Sequence, residues 1–233
     1  MIEENIENLK VLTDLLITDQ EQRERNRSFL IDVLMVLNLL DVKCGYGAKL
    51  LDLIADYTHA DAVAIRLKRL EDYHYFLYLG FPEDFIQTEN SLLCKNEEIF
   101  SLECLCGFVL SSPRQVKSKY SFFTNYGSFF TPNLSELTSS TDELLPNITL
   151  RGTCVKAGYN TMALIPLYCS DASTIGLLQV NSRKTNAFDL INVQVLESIS
   201  LHMGVALERM RDLLIYKTEC RCIDDRHLEN NEL

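Results

Sequence analysis

The chain has 233 residues, with 33 acidic against 22 basic side chains and a formal net charge of −11. The basic residues are interleaved with acids, and this charge repels phosphate backbones, so nucleic acid is excluded as a partner. No stretch approaches the roughly 18 consecutive apolar residues of a membrane span. The acidic start Met-Ile-Glu-Glu-Asn is unlike a signal peptide, so we expect a cytoplasmic protein without membrane contact.

The first predicted elements are helices. Apolar residues recur at helical spacing over 2–16 and again over 29–40, and the polar stretch between them contains neither Gly nor Pro. This pattern predicts one long helix or two stacked helices. We interpret 1–44 as a dimerisation or signalling segment, the alternative being a helix that packs on its own domain. A second amphipathic helix is predicted over 50–57.

The periodicity then changes to that of strands. The runs 62–67 and 73–79 are rich in β-branched and aromatic residues and predict two strands joined by a turn. Residues 83–155 are predicted to be irregular. The runs 161–169 and 174–182 predict a β-hairpin.

A long helix is predicted to close the domain over 188–216, with one apolar stripe along it. The charged residues 218–233 are predicted to form a flexible tail. These elements describe an α+β domain over 45–217, with an antiparallel sheet and helices against one of its faces. The irregular excursion is expected to cover the other face and to enclose a pocket.

Four of the eight cysteines flank the predicted pocket: Cys94, Cys104, Cys106 and Cys154. Without an export signal, disulfides are not expected, so these thiols indicate metal binding, redox chemistry or packing as small apolar side chains. Gly107 and Val109 favour an extended backbone, in which Cys104 and Cys106 point into one pocket. With Cys94 and Cys154 they form a candidate tetrahedral set for zinc, an iron–sulfur cluster or haem iron.

The excursion also contains aromatic residues that are predicted either to line a ligand cavity or to anchor a loop on the sheet: Phe122, Phe123, Tyr126, Phe129 and Phe130. Tyr159 and Asn181 are predicted to supply polar contacts to the pocket or the hairpin, or to pack. None of the four histidines has a position suited to axial haem ligation.

Several stretches resemble the GAF domain family. They are 50–66, 159–167 and 174–181, followed by Phe188 at the start of a helix. The motifs Ser91-Leu-Leu-Cys94, Glu103-Cys-Leu-Cys-Gly107, Phe122-Phe-Thr124, Gly127-Ser-Phe-Phe130 and Cys154 further resemble a cysteine-bearing subgroup found in microbial sensor histidine kinases. The resemblance covers residues 45–210.

The resemblance implies a sheet with the N- and C-terminal helices on one face and a ligand pocket on the other. GAF domains bind cyclic nucleotides, bilins, haem, iron–sulfur clusters or other small molecules, and the fold does not select among them. It also implies a stand-alone sensor that dimerises through its terminal helices and acts through a partner kinase or regulator. Two alternatives stay open: a thiol-dependent reductase of free methionine sulfoxide that uses Cys104 and Cys106, and a ligand-free dimer scaffold.

Overall fold

The structure is a computed structural model that describes residues 2–40, 45–94, 101–117, 119–138 and 149–229. Its helices are α1 (Ile2–Leu39), α2 (Tyr46–Thr58), α3 (Glu83–Glu89), α4 (Cys104–Ser111), α5 (Arg114–Lys117), α6 (Leu134–Thr138), α7 (Thr153–Lys156) and α8 (Leu190–Glu229). Its strands are β1 (Ala62–Arg69), β2 (Asp72–Leu79), β3 (Phe129–Thr131), β4 (Thr161–Tyr168) and β5 (Thr174–Ser182).

The predicted elements are confirmed wherever the sequence has a clear period. The N-terminal run is one helix rather than two, and the hairpin is β4–β5. The predicted flexible tail over 218–233 is instead helical as far as Glu229, because neither Gly nor Pro follows Gly204 to end α8. The predicted boundary between 44 and 45 falls beside residues 41–44, which lie outside the described part of the chain.

The five strands form one antiparallel sheet in the order β2-β1-β5-β4-β3. All eight residues of β4 are buried, and so are all those of β5 after its first residue. Strands with one wet face alternate between buried and exposed residues, so this pattern means that both faces of the sheet centre are covered. The sheet therefore divides the interior into two layers.

The first layer lies between the sheet and the helices α1, α2 and α8. Leu37, Ile54 and Met203, one from each helix, belong to the large apolar cluster on this face. The helix α8 comes close to β4, since a Cβ atom built on Gly204 would lie 2.0 Å from the carbonyl oxygen of Tyr168. Only glycine fits at that position.

The stretch Leu190–Arg211 of α8 is long and apolar enough to cross a membrane by length and composition alone. In the fold, 44% of its most apolar window is buried. Side chains such as Val193, Leu196 and Ile199 pack in the large cluster against the sheet, which accounts for the apolar composition of this stretch.

Candidate functional site

The second layer, on the face opposite α8, is where the pocket is predicted, and it contains α4 with the two neighbouring cysteines. The predicted extended backbone at Cys104 and Cys106 is wrong, because α4 begins at Cys104. The apolar residues of α4 are packed against the sheet, and Gly107 allows α4 to lie close to the segment that precedes it. A Cβ atom there would lie 2.6 Å from the carbonyl carbon of Leu102.

The thiols of this layer are held in their neutral form. Burial raises the pKa of the Cys106 thiol to about 12. Burial likewise raises the pKa of Cys104 and that of Cys154, and the nearby Glu89 carboxylate adds to both shifts. A nucleophilic cysteine must be a thiolate, so these environments oppose nucleophilic chemistry.

The metal prediction finds no support in the geometry. Among the described residues, which include all four candidate cysteines, no three His, Cys, Asp or Glu side chains converge as metal ligands. Cys94 lies beside Ser101, whose carbonyl accepts its backbone N–H at 2.9 Å. Cys104, Cys106 and Cys154 lie near enough to one another that Cys104 and Cys106 raise the pKa of Cys154. As the described residues are placed, however, these thiols do not form the ligand set of a zinc, iron–sulfur or haem site.

Among the buried side chains of this face, the uncharged Asn181 and Tyr159 have unpaired polar atoms. Asn181, on β5, lies between Ala62 of β1 and Met162 of β4 and is 0% exposed. Neither atom of its amide group has a hydrogen-bond partner among the described residues, and the same holds for the hydroxyl of the fully buried Tyr159. Leaving such a group unpaired costs about 1–3 kcal/mol, so three unpaired atoms are unusual in a folded core.

Tyr159 and Asn181 adjoin the same apolar cluster. The Tyr159 ring packs edge-on against Phe81 and Phe85, with ring centroids 5.5 and 5.9 Å away. Ala62, the β1 residue opposite Asn181, belongs to that cluster. Both unpaired groups therefore lie near the end of the sheet where β1 begins and β5 ends.

A buried arginine lies further along the same face. The guanidinium of Arg66 donates to the carbonyls of Tyr73, Glu89 and Asn90 at 2.9, 2.6 and 3.1 Å. It also lies 3.6 Å from the ring centre of Tyr75. These contacts already satisfy most of its donors, leaving only Nε without a partner among the described residues. Arg66 is thus mainly a structural cation.

A second arginine fastens the cover of this face. Arg151 Nε donates to Glu103 at 2.7 Å, and its terminal nitrogens donate to the carbonyls of Ser91 and Leu93 at 2.6 and 3.2 Å. Glu89 lies 3.6 Å from the same guanidinium and accepts a hydrogen bond from Thr153 at 2.7 Å. Arg151 therefore holds together the segments before α4 and α7.

The free space beneath this cover is small. A cavity of about 30 Å³ lies between α4, α7 and Met162, with Cys104 and Cys154 in its wall. That is about the share of liquid volume of one water molecule. Cys104 also has a φ of 67°, a left-handed conformation that strains a residue with a side chain. The face is closed, and the strained residue lies in its cover.

Three of the predicted aromatic residues, Phe122, Phe123 and Phe129, pack in the same apolar cluster as Cys106 and Cys154. Phe123 and Phe129 are buried with ring centroids 5.6 Å apart, and Phe122 packs beside them. Phe122 and Phe123 also line an open cavity of about 350 Å³ that faces α8. Tyr159, Cys104, Cys106 and Cys154 lie near the closed face. The structure does not bring the aromatic set and the thiols into one pocket.

The sequence reasoning missed Arg66, Glu89 and Arg151. For Arg66 a signal was available, because one charged residue interrupts the apolar run Ala-Val-Ala-Ile of β1. A charge in a buried strand requires partners and marks a polar network. Glu89 and Arg151 lie in segments without a clear period, so their pairing depends on the fold.

No protein-family model matches the sequence, and no curated protein matches it. Solved structures do. A putative GAF sensor protein from Burkholderia vietnamiensis is 11% identical, with a TM-score of 0.50 over 80% of this chain and 98% of that one. Free methionine-R-sulfoxide reductase from Neisseria meningitidis, in complex with its substrate, is 15% identical, with a TM-score of 0.50 over 81% of this chain and 91% of that one.

The GAF domain of an Acinetobacter phosphoenolpyruvate-protein phosphotransferase is 14% identical, with a TM-score of 0.48 over 82% of this chain and 95% of that one. At such identities a likeness concerns the fold alone. The sheet order β2-β1-β5-β4-β3, with long helices on one face and short ones on the other, is that of a mixed helix and antiparallel-sheet domain. The chain has the GAF fold.

Proposed function

We propose that this chain is a signal-transduction sensor, not an enzyme, whose closed sheet face takes up a small organic ligand. The observation that carries the proposal is the set of unpaired buried atoms on Asn181 and Tyr159. Buried polar groups are nearly always paired, because an unpaired one lowers stability. A ligand with both a donor and an acceptor would pair with the Asn181 amide, and its next polar atom with the Tyr159 hydroxyl.

The ligand is expected to carry no net charge at this end. The charge of Arg66 is already met by three backbone carbonyls and the Tyr75 ring. The strand neighbours of Asn181 are apolar, Ala62 on β1 and Met162 on β4. Uptake requires the cover around α4 and α7 to move, since the cavity of about 30 Å³ holds no metabolite.

A contact route leads from this layer to α8. Phe123 packs in the apolar cluster under α4. One residue later the Thr124 hydroxyl donates to Glu197 of α8, and Tyr126 shares a hydrogen bond with Ser200 of α8. When α4 moves, Phe123 must repack, and these two hydrogen bonds carry the displacement to the long helix.

We further propose that the sensor is a cytoplasmic homodimer that acts on a partner kinase or regulator. The helix α1 exposes four large apolar side chains, Ile31, Leu34, Met35 and Leu39, and Leu34 lines a groove together with the exposed Leu201 of α8. Apolar side chains on two adjacent helices favour pairing with a second copy, which would extend the helical layer.

The reductase alternative has one observation in its favour, the fold shared with the Neisseria enzyme. That chemistry needs an accessible thiol with a lowered pKa. Burial acts in the opposite direction on Cys104, Cys106 and Cys154. The same shifts disfavour rapid redox sensing by these thiols, so a ligand-binding sensor is the better proposal.

Native mass spectrometry of gently purified protein tests the proposal. We expect a small organic adduct on the wild-type chain that is lost in Asn181→Leu and weakened in Tyr159→Phe. The matched control is Asn38→Leu, an exposed position on α1. An adduct that survives both site variants would contradict the assignment. A chain without adduct that also gains no stability from small-molecule panels would favour the dimer scaffold.

A further inference from the structure

A second, open cleft runs along α8, away from the closed face. It has a volume of about 590 Å³ and lies between α8, the end of β4 and Arg114 of α5. Tyr126, Gln194 and Glu197 also line the neighbouring cavity of about 350 Å³, so the two spaces are continuous. We call the combined space the α8 cleft.

One wall of the α8 cleft presents a positioned cation. The guanidinium of Arg114 lies 5.1 Å from the ring centre of Tyr126 and 4.7 Å from that of Tyr168, and its Nε donates to the Tyr168 hydroxyl at 3.3 Å. Within the described part of the chain, its two terminal nitrogens have no acceptor. A guanidinium fixed in this way presents a two-pronged donor that matches a carboxylate.

The other wall presents an anion. Glu197 accepts a hydrogen bond from the Thr124 hydroxyl, and no described cation lies within ion-pair distance of it. Arg114 and Glu197 line the same cleft without pairing with each other. Opposite charges that face one space separately suit a ligand that carries both charges.

We propose that the α8 cleft binds a free α-amino acid as its zwitterion. The carboxylate lies on Arg114, the ammonium group on Glu197, and the side chain over Tyr126 and Tyr168. A simple anion would meet the Glu197 carboxylate and the net charge of −11, and a simple cation would meet Arg114. Because the ligand contacts α8 directly, it supplies a second input to the helix, at the same Glu197 and Tyr126 through which the closed face reaches α8.

Isothermal titration calorimetry on the full chain, with each of the twenty standard L-amino acids, tests the proposal. We expect at least one to bind, and its methyl ester and its N-acetyl form each to bind at least about tenfold more weakly, since each loses one charge. Arg114→Gln should weaken binding of the amino acid, and the methyl ester should then bind no more weakly than the free amino acid does. Glu197→Gln retains an acceptor for the Thr124 hydroxyl. In this variant the N-acetyl form should bind no more weakly than the free amino acid does.

Arg27→Gln, at an exposed position on α1, is the matched control and should bind as the wild type does. Arg114→Lys keeps the charge but loses the planar fork, so it should bind with intermediate affinity and guards against misfolding of the Gln variant. Binding of no amino acid, or equal affinity in Arg114→Gln, overturns the proposal. Binding that is lost in Asn181→Leu but kept in Arg114→Gln would place the amino acid in the closed face instead.

Discussion

Replacing Asn181 by Leu should make the unliganded protein more stable. The two side chains are similar in size, and the substitution removes two buried amide atoms that lack partners. An unpaired buried polar group costs about 1–3 kcal/mol, so the free energy of unfolding should rise by about that amount. For a chain of this length, 2 kcal/mol corresponds to a rise in Tm of roughly 4–8 °C.

Urea unfolding followed by circular dichroism measures the change. The matched control is Gln179→Leu on the same strand, because Gln179 accepts a hydrogen bond from Tyr75 at 3.2 Å. Removing that acceptor costs the half-buried Tyr75 hydroxyl one of its hydrogen bonds, so Gln179→Leu should lower stability. If Asn181→Leu lowers stability by more than about 1 kcal/mol, its amide is paired in the folded protein and the reasoning fails.

Four other results are expected. Burial lowers the pKa of Lys117 from 10.5 to about 8, so the folded state favours the neutral amine. The free energy of unfolding should therefore rise as the pH increases from 8 to 10.5 and should stay level below pH 8. Lys117→Met should remove this rise and add at most about 3 kcal/mol at pH 7, as measured by urea unfolding at several pH values. Iodoacetamide should label Cys104, Cys106 and Cys154 more than tenfold faster in urea than in the folded protein at pH 7.5, as measured by peptide mass spectrometry. The reason is that burial raises the pKa of these thiols and blocks access of the reagent. Equal labelling rates would refute this. Gly204→Ala should lower the unfolding free energy by about 1–3 kcal/mol or more, since its methyl group meets the Tyr168 carbonyl, and an unchanged midpoint would contradict the close contact. Met35→Lys should shift the chain from dimer to monomer by light scattering, while Leu70→Lys, at a more exposed apolar position on the β1–β2 turn, should not.

The sequence predicts the helices and strands in which buried residues recur at a regular spacing. It does not predict the elements whose burial depends on residues distant in the sequence. The β4–β5 hairpin and the helices α2 and α8 each have a clear period. The segment that begins at Cys104 does not, and its buried residues Leu105 and Val109 belong to one apolar cluster with Leu164 of β4, which is distant in the sequence. A run of about four apolar residues is compatible with both a strand and a short helix, and tertiary packing decides which of the two forms.

The candidate site divides in the same way. The sequence identifies Asn181 as a polar residue in a predicted strand and Tyr159 as one just before a predicted strand. Whether their side chains have hydrogen-bond partners depends on the three-dimensional structure. The thiols show the reverse. Their spacing resembles a cysteine motif, yet burial keeps Cys106 neutral, and burial cannot be seen from a spacing.

The close approach at Gly204 limits the motions available to α8. With no side chain between the helix and the Tyr168 carbonyl, a piston-like slide or a twist of α8 would drive the neighbouring side chains into β4. Tilting about this contact meets no such obstacle. Gly204 is then the pivot of this tilt. The shorter part of α8, before the pivot, carries Glu197 and Ser200, and the longer part runs on to Glu229. A small displacement of the shorter part becomes a larger one at the far end of the helix.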